Sequence, residues 1–358
     1  MQKIFHLSHT DLDGYGAQFV SSHFFSDISF YNANYGREVG FRLDEIIEDI
    51  QVCIDGQISK ILIFITDLNL TAQEAADLEL RAKAISENTP CEIELLLLDH
   101  HITGLECSQK FPWYNLDPMI CATKITYKYL LEHFTPHANK NELELLERAV
   151  EVINSIDIWD ENGFGFDIGK VALRMIATAN ELNRHMFDAQ NRQFKLNLIK
   201  EMSRLIPPLG ESTANAAVEL DNSLLKIKKR LLGGNENKEI LDDVISNRIC
   251  KLLAQKSKDC QIFYRDKMGF FSYQMGGISV LANKFLRQNK TFKFYIDINA
   301  KGNVSLRANN ECDVSEIAQK CFNGGGHKNA AGGRFNGFKE SFVYEDMKAQ
   351  IQQALSLD

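Results

Sequence analysis

Seven acidic and histidine residues stand close behind three short apolar runs in the first third of the sequence. Burying several carboxylates together is costly unless cations neutralise them. Hard divalent ions such as Mn²⁺ or Mg²⁺ suit a carboxylate-rich set with a few imidazoles, and two ions about 3.5–4 Å apart form a clamp for in-line attack on a phosphate. The seven residues are His9, Asp11 and Asp13 after KIFHL, Asp67 after ILIFIT, and Asp99, His100 and His101 after IELLLL.

Each of these elements has a structural explanation when it is taken alone. An Asp-x-Asp pair commonly caps a loop or a helix, and a single aspartate often ends a strand. The Asp-His-His triplet is less common, but it is not decisive by itself. Three such elements at successive strand ends are much harder to explain as caps, and together they predict a metal site.

The elements that would position these residues alternate between strands and helices. The run at Ile61–Ile65 is continuously apolar, as expected for a strand buried on both faces, and Thr71 and Glu74 form a capping box. This order predicts a mainly parallel α/β sheet, which binds ligands at the carboxyl ends of its strands. The expected strands are Lys3–Leu7, Ile28–Ala33, Ile61–Ile65 and Ile93–Leu98, and the expected helices are Gly14–Phe25, Phe41–Val52 and Thr71–Glu87.

The rest of the chain divides at a breaker cluster, Gly233-Gly234-Asn235. The pattern from Ala122 to Leu232 is almost entirely helical, whereas Asn237–Asp358 has the mixture typical of a second α/β domain. A final helix and a glycine-rich loop are also expected in this second domain. Its other expected helices are Glu239–Lys256 and Val314–Cys321, and its expected strands are Gln261–Tyr264, Gly269–Gln274, Phe292–Ile298, Val304–Arg307 and Gly333–Phe338.

Length and composition limit the classes of protein that fit this chain. A length of 358 residues favours two domains, and a net charge of −8 disfavours a protein that coats long nucleic acid. The eight cysteines never form a C-x-x-C pair, as expected for reduced thiols. There is no apolar signal-peptide core and no stretch of about 20 apolar residues. We therefore expect a cytoplasmic protein that does not span a membrane.

Four segments of the sequence resemble the motifs of a known superfamily. SHTDLDGYGA, FITDLNL, LLLLDHH and SIDIWD occur in the order of the four motifs of DHH phosphoesterases, and SLRANNECDVSEIAQKCFNGGGHKNAAGG resembles the DHHA1 domain. The resemblance covers nearly the whole chain and is least specific in the helical middle. It implies a DHH catalytic domain at 1–185, a helical linker at 186–236 and a smaller α/β DHHA1 substrate-binding domain at 237–358.

The resemblance also assigns metal ligands. They would hold two divalent ions, with Mn²⁺ preferred and Mg²⁺ as the alternative, and Asp67 would bridge both ions. For the fourth motif Asp157 aligns better than Asp160, whose structural explanation is a solvated helix end. The implied ligands are Asp11, Asp13, Asp67, His100 and Asp157.

One position departs from part of the superfamily. Pyrophosphatase and nano-RNase members carry a histidine ligand four residues before the first aspartate, where this chain has Leu7. His9 instead occupies the place of an aspartate in RecJ-type exonucleases, and we expect it to bind the first ion. The resemblance further implies that Asp99 supports the site and that His101 faces the scissile phosphate. The other five histidines with no motif, among them His6, are expected to be surface or core residues.

A second group of residues belongs to the C-terminal domain. Glycine carries no Cβ, so the loop Gly324-Gly325-Gly326 lets backbone N–H groups approach an anion closely, although a plain turn would look the same. His327 can donate to a phosphate or stack on a base, and Arg307 offers a bidentate guanidinium. We expect these residues to hold the end of the substrate away from the scissile phosphate.

The resemblance favours a metal-dependent phosphodiesterase acting on short RNA or DNA oligonucleotides, with 3′-phosphoadenosine 5′-phosphate as a related substrate. A RecJ-type 5′→3′ single-strand DNA exonuclease is the first alternative, but such enzymes usually add an OB-fold domain that this chain has no room for. A cyclic-dinucleotide phosphodiesterase and a non-catalytic binding module are the others. Whether the chain forms a homodimer is left open by the sequence.

Overall fold

A computed structural model describes residues 2–54 and 58–356. Contacts divide the chain into two compact units. The first unit comprises Met1–Ala179 and Arg192–Ile227, and the second comprises Asn180–Asn191 and Lys228–Asp358. The residues expected to form a linker, 186–236, are therefore distributed over both units.

The first unit is built on a five-stranded sheet in which every neighbouring pair is parallel, in the order β2-β1-β3-β4-β5. The expected parallel α/β sheet is thus confirmed, and the capping box between Thr71 and Glu74 is present. The short β5 and the helical turns before it were not expected. In chain order the elements are β1 (Gln2–Ser8), α1 (Leu12–Ser21), β2 (Ile28–Asn32), α2 (Arg37–Cys53), β3 (Lys60–Thr66), α3 (Ala72–Asn88), β4 (Glu92–Asp99), a 3₁₀ turn (Ile102–Gly104), α4 (Leu105–Lys110) and β5 (Tyr114–Leu116).

The strand order explains where a ligand can bind. The chain runs from β1 outward to β2 and then returns to place β3 on the other side of β1. The loops after β1 and β3 therefore leave the sheet in opposite directions and open a crevice at its carboxyl edge. The central strand β3 has Ile61 to Ile65 fully buried, so the crevice stands on a rigid, packed sheet.

Most residues of the helices after β5 belong to the first unit, and three of these helices, Ala122–His133, Lys140–Asp157 and Phe166–Ala177, pack against α1. Gly16 of α1 lies very close to the helix that begins at Ala122. A Cβ on Gly16 would be 2.3 Å from Oγ1 of Thr123 in that helix. This close approach holds the start of that helix against the loop after β1. Within the described residues, no helix is long and apolar enough to cross a membrane. The helices are α5 (Ala122–His133), α6 (Lys140–Asp157), α7 (Phe166–Ala177), α8 (Asp188–Leu205) and α9 (Ala214–Leu231).

The second unit contains a six-stranded mixed sheet in the order β10-β11-β9-β8-β7-β6. Only the β7–β8 pair is parallel among its pairings in the described residues. The elements are α10 (Leu241–Gln255), β6 (Gln261–Tyr264), β7 (Lys267–Tyr273), α11 (Ile278–Gln288), β8 (Phe294–Ile298), β9 (Asn303–Ala308), α12 (Val314–Cys321), β10 (Gly325–His327), β11 (Ala330–Arg334) and α13 (Tyr344–Ser356).

The glycine-rich segment differs from the expected loop. Gly325–His327 is the strand β10, joined by a two-residue turn to β11, and the last strand ends at Arg334 rather than extending to Phe338. Here the backbones are packed too closely for side chains, because a Cβ on Gly324 would lie 2.0 Å from the Gly332 carbonyl oxygen. The prediction of a glycine-rich loop was therefore wrong, because these glycines allow the close packing of a tight hairpin.

Candidate metal centre

Two loops bring the first aspartates to the crevice beside β1 and β3. Asp11 caps α1, with its Oδ1 accepting from the Gly14 N–H at 3.0 Å. Asp67 follows β3 in the left-handed conformation, with φ of 56°, and its N–H still donates to the Leu98 carbonyl at 3.1 Å. The side chain of Asp67 is buried at the edge of the sheet, where the carboxyl ends of the strands meet.

Asp13 is fixed by the start of α5. Its Oδ2 accepts from the Ala122 N–H at 2.7 Å and its Oδ1 from the Thr123 N–H at 2.8 Å, while Thr123 Oγ1 donates to the Asp13 carbonyl at 2.7 Å. Backbone N–H groups at a helix start favour a negative charge. Each carboxylate oxygen keeps lone-pair capacity, so Asp13 is oriented without being fully occupied.

The two carboxylate oxygens of Asp67 face different imidazoles. Oδ1 lies 3.5 Å from Nε2 of His100, and Oδ2 lies 3.7 Å from Nδ1 of His9. His9 Nδ1 is also 2.9 Å from Oδ2 of Asp11. Each oxygen of Asp67 thus lies beside a different group of potential metal ligands. This is the arrangement expected of a carboxylate that two cations would share.

The fourth motif contributes Asp157 to the same cluster. His100 Nε2 lies 3.6 Å from Asp157 Oδ2 and 3.7 Å from Asp13 Oδ2. Asp160 instead forms a turn after α6, where its Oδ1 accepts from the Asn162 N–H at 3.2 Å and its own N–H donates to the Ser155 carbonyl. Of the two aspartates considered, Asp157 is therefore the one that faces the cluster.

His101 belongs to a hydrogen-bonded chain that includes Asp99. His101 Nδ1 lies 2.7 Å from Oδ1 of Asp99, and Tyr114 donates to Asp99 Oδ2 at 2.7 Å. Gly104 makes room for the Tyr114 hydroxyl, since a Cβ there would lie 1.8 Å from it. Because an ionised carboxylate only accepts, His101 presents Nδ1–H to Asp99. Nε2 is then the ring nitrogen that can accept a hydrogen bond from another group.

The proximity of several carboxylates changes their acid–base behaviour. Burial and then the charge of Asp13 raise the pKa of Asp67 well above its ordinary value, and the same two causes raise that of Asp157 to about 8. Burial lowers the pKa of His9, but Asp11 and Asp67 outweigh it and raise the pKa to about 9. The cluster therefore attracts positive charge, which a proton on His9 supplies in the metal-free protein.

The donor set fits divalent cations. His9 Nδ1 and Asp67 Oδ2 are buried and make no hydrogen bond of good geometry within the described residues, as expected of atoms that have ligand capacity to spare. Carboxylate oxygens with a few imidazole nitrogens suit Mn²⁺ and Mg²⁺. Among the described residues, three groups have ligand atoms within 4.8 Å of one another: Asp67, His100 and His101; His9, Asp11 and Asp67; and Asp13, Cys121 and Asp157.

The residues expected to hold the distal end of the substrate lie in the second unit. Arg307 pairs with Ala330 in β11, and Ala330 pairs with His327 in β10, so all three share one face of the sheet. Arg307 donates to the Leu306 carbonyl and to Ser279 Oγ, both at 2.8 Å, which uses two of its five N–H donors. The Gly324 N–H donates to the Ala318 carbonyl and is not available to an anion.

His6, which was expected to be a surface or core residue, lies in the core. Its Nδ1 is 2.8 Å from Ser21 Oγ and its Nε2 is 2.9 Å from Thr66 Oγ1. Thr66 Oγ1 is in turn 2.7 Å from Ser8 Oγ. Burial lowers the pKa of His6 to about 3, so a neutral polar chain supports the strand residue that precedes Asp67.

Sequence reasoning missed four contributors to this region. The Ala122–Thr123 N–H groups, the Tyr114 hydroxyl, the buried thiol of Cys121 and the phenol of Tyr35 all contact or adjoin the cluster. A helix start at Cys121–Ala122 was the one available signal, because helix starts favour anions. The tyrosines had no periodicity or spacing that pointed to the site.

Several known proteins are similar to this chain in sequence and in fold. Residues 267–356 match the family model described as the DHHA1 domain. A Helicobacter pylori protein named 3′,5′-cyclic-nucleotide phosphodiesterase is 50% identical over 353 residues, which are 99% of both chains. The crystal structure of an uncharacterized protein from Helicobacter pylori G27 superposes with a TM-score of 0.92, at 50% identity and 99% coverage of both chains.

Proposed function

Because this chain belongs to the DHH/DHHA1 phosphoesterase superfamily and is a phosphoric ester hydrolase, we propose that it is a metal-dependent phosphodiesterase that opens 3′,5′-cyclic nucleotides. One observation carries the choice of substrate: the Helicobacter pylori relative named for that activity shares half of its residues with this chain over the whole length. At this identity without large gaps, the residues around the reacting phosphate are expected to be largely shared.

The proposed ligands of two divalent cations are divided around Asp67. His9 and Asp11 would hold one ion with Asp67, and Asp13, His100 and Asp157 would hold the other with it. Bound divalent ions supply positive charge to phosphoryl oxygens and lower the pKa of water. Mn²⁺ is the preferred ion in this proposal, since imidazole and carboxylate ligands occur together.

The protein's own groups orient the reacting phosphate. Asp99 holds the His101 ring through Nδ1–H, so Nε2 faces the crevice and can contact the phosphate or the oxygen that leaves it. Burial raises the pKa of Asp99, but its hydrogen bonds with His101 and Tyr114 outweigh burial and lower it. Asp99 thus remains an anion that supports positive charge on His101 during the reaction.

The proposed reaction replaces one phosphate ester bond. Water adds to phosphorus, one of the two P–O bonds to ribose breaks, and the released ribose oxygen receives a proton, which gives a nucleoside monophosphate. Short RNA oligonucleotides of fewer than about five residues are the second candidate, with 3′-phosphoadenosine 5′-phosphate. The net charge of −8 favours small substrates over long strands, because a long polyanion needs an extended basic track.

A direct comparison of substrates tests the proposal. With Mn²⁺ present, we expect cyclic AMP or cyclic GMP to be hydrolysed faster than RNA of two to about twenty nucleotides, and excess EDTA to stop both reactions. Product length and end chemistry identify the bond that is cut. Faster hydrolysis of dinucleotides would favour the second candidate, processive degradation of long DNA would favour a RecJ-type exonuclease, and no metal-dependent hydrolysis of any diester would contradict the proposed function.

The guanidinium of Arg307 is proposed to bind the part of a nucleotide away from the scissile phosphate. Such a contact forms in both ground and transition states, so its loss mainly raises KM. A charge-assisted contact is worth roughly 1.5–3 kcal/mol, so Arg307→Ala is expected to raise KM about ten- to a hundred-fold.

Steady-state kinetics on two substrates check this prediction. The effect of Arg307→Ala should be much smaller on bis-p-nitrophenyl phosphate, which lacks the nucleotide. Arg287→Ala, an exposed arginine on α11 of the same unit, is the matched control and should leave KM unchanged. Equal losses of kcat on both substrates would place the action of Arg307 on the reacting phosphate instead.

A further inference from the structure

Tyr35 occupies a fixed loop at the same edge of the sheet as the metal cluster. The loop joins β2 to α2, and Ala33 still donates to the Ser8 carbonyl of β1 at 3.0 Å. Glu38 Oε2 accepts from the Asn34 N–H at 2.9 Å, and Thr10 Oγ1 donates to Asn34 Oδ1 at 2.5 Å. The loop is therefore tied both to α2 and to the segment between His9 and Asp11.

The phenol of Tyr35 reaches across the cluster. Its ring centroid is 4.7 Å from that of His9, and its hydroxyl lies 3.3 Å from the carbonyl oxygen of Asp67, to which it can donate. The hydroxyl is also 2.9 Å from Nε2 and 3.3 Å from Nδ1 of His101, beside the edge of the ring. Since Nδ1–H is directed to Asp99, Nε2 is the nitrogen of this ring that can accept from the Tyr35 O–H.

Within the protein the hydroxyl has two acceptors, the Asp67 carbonyl oxygen and His101 Nε2, and a bound phosphate would offer a third. Tyr35 is 43% exposed, so solvent and small solutes can reach part of a side chain whose ring contacts His9 and His101. A phosphate diester beside His101 Nε2 would bring a non-bridging oxygen within reach of the same O–H. A phenol fixed by a packed ring is a preorganised donor, and such donors act most strongly where charge develops in the transition state.

On the basis of the proposed function, we propose that Tyr35 is a catalytic residue whose hydroxyl moves its hydrogen bond from His101 Nε2 to a non-bridging phosphoryl oxygen. The exchange frees Nε2 for the phosphate or the leaving oxygen and stabilises the charge that grows on phosphate. No proton is transferred to or from Tyr35 in this role. The site motifs of the sequence do not include this residue.

Tyr35→Phe removes the hydroxyl and keeps the ring beside His9. Loss of one preorganised donor costs roughly 10²–10³-fold in kcat, so we expect kcat to fall about a hundredfold or more on cyclic AMP and bis-p-nitrophenyl phosphate, with KM within about threefold. The affinity for Mn²⁺, measured by calorimetry, should be unchanged. Tyr129→Phe, which removes a hydroxyl from α5 next to His133, is the matched control and should retain wild-type kinetics.

Phosphorothioates separate a contact with phosphate from support of the fold. Sulfur is a weaker hydrogen-bond acceptor than oxygen, so the two diastereomers of adenosine 3′,5′-cyclic phosphorothioate should react at different rates with the wild type. Tyr35→Phe should change this ratio by about tenfold. A kcat within twofold of wild type, a loss explained by weaker Mn²⁺ binding, or an unchanged ratio would each overturn the role of Tyr35.

The outcome for Tyr35 is separable from that of the substrate proposal. If the wild type hydrolyses bis-p-nitrophenyl phosphate but no cyclic nucleotide, the substrate is wrong and the kcat ratio on the small diester still decides the role of Tyr35. If no diester is hydrolysed, binding of inorganic phosphate in Mn²⁺ decides it. A fivefold or greater loss of phosphate affinity in Tyr35→Phe supports the contact, and equal affinities overturn it.

Discussion

Replacing Asp67 with alanine is expected to abolish hydrolysis, with a loss of at least about 10³-fold in kcat/KM. Asp67 is the carboxylate that faces both His9 and His100, so its removal weakens both proposed cation sites at once. Charge stabilisation by such cations is worth several kcal/mol, and each 1.36 kcal/mol corresponds to a factor of ten. Rates with saturating Mn²⁺, together with calorimetric titration of the ion, measure the effect.

The same variant should remain folded. Because the pKa of Asp67 is raised on folding, this carboxyl stabilises the fold at low pH, and that contribution is lost as pH rises, so its charge opposes folding of the metal-free protein at neutral pH. Alanine at φ of 56° lowers the free energy of unfolding by roughly 1–2 kcal/mol. This loss offsets the stability gained by removing the charge of Asp67. Circular dichroism should show little change in melting temperature.

A matched variant and a chelator complete the test of Asp67. Asp44→Ala removes an exposed carboxylate of α2 that is paired with Arg81, and its activity should equal that of the wild type. Full activity of Asp67→Ala would contradict the two-cation site. So would undiminished activity of the wild type in excess EDTA.

Replacing His101 with alanine is the second large expected effect. General acid–base or electrostatic action by a positioned imidazole contributes typically 10²–10⁴-fold, and here Asp99 and Tyr114 orient the ring. We expect kcat to fall by that amount while KM stays nearly constant, since the ring acts mainly in the transition state. Steady-state kinetics on cyclic AMP provide the measurement.

The control for His101 is His133→Ala, because His133 ends α5 and stacks on Tyr129. Its kcat should be that of the wild type. An increase in KM with unchanged kcat for His101→Ala would mean that the ring only binds substrate. Loss of Mn²⁺ affinity in the same variant would instead make His101 a ligand.

The parallel sheet was predictable because its central strand is apolar on both faces and its strands alternate with helices. ILIFI and IELLLL have the pattern expected of strands in a covered sheet, and the order of elements then puts Asp11, Asp13, Asp67 and His100 at one edge. Asp157 was predictable only through the resemblance to the superfamily. The helix that carries it is amphipathic, and nothing in that pattern distinguishes Asp157 from Asp160.

Contacts between distant segments were not predictable from local pattern. The N–H groups of Ala122 and Thr123 reach Asp13 across more than a hundred residues, and Tyr35 reaches His101 across 66. The prediction of a loop near Gly324 was wrong for another reason. Glycine marks both loops and close backbone approach, and here the packing of β10 against β11 decides between them.

The distribution of the chain over the two units has a practical consequence for separating them. The polypeptide passes from one unit to the other three times, because Asn180–Asn191 belongs with the C-terminal residues. Asn183 donates to the Gln274 carbonyl at 2.6 Å, and Glu181 pairs with Lys228 at 2.5 Å. A fragment that starts at residue 237 would lack both contacts, and one that stops at residue 185 would lack all of α8. Synthesis on the ribosome must therefore reach Ile227, within α9, before the first unit has all of its chain.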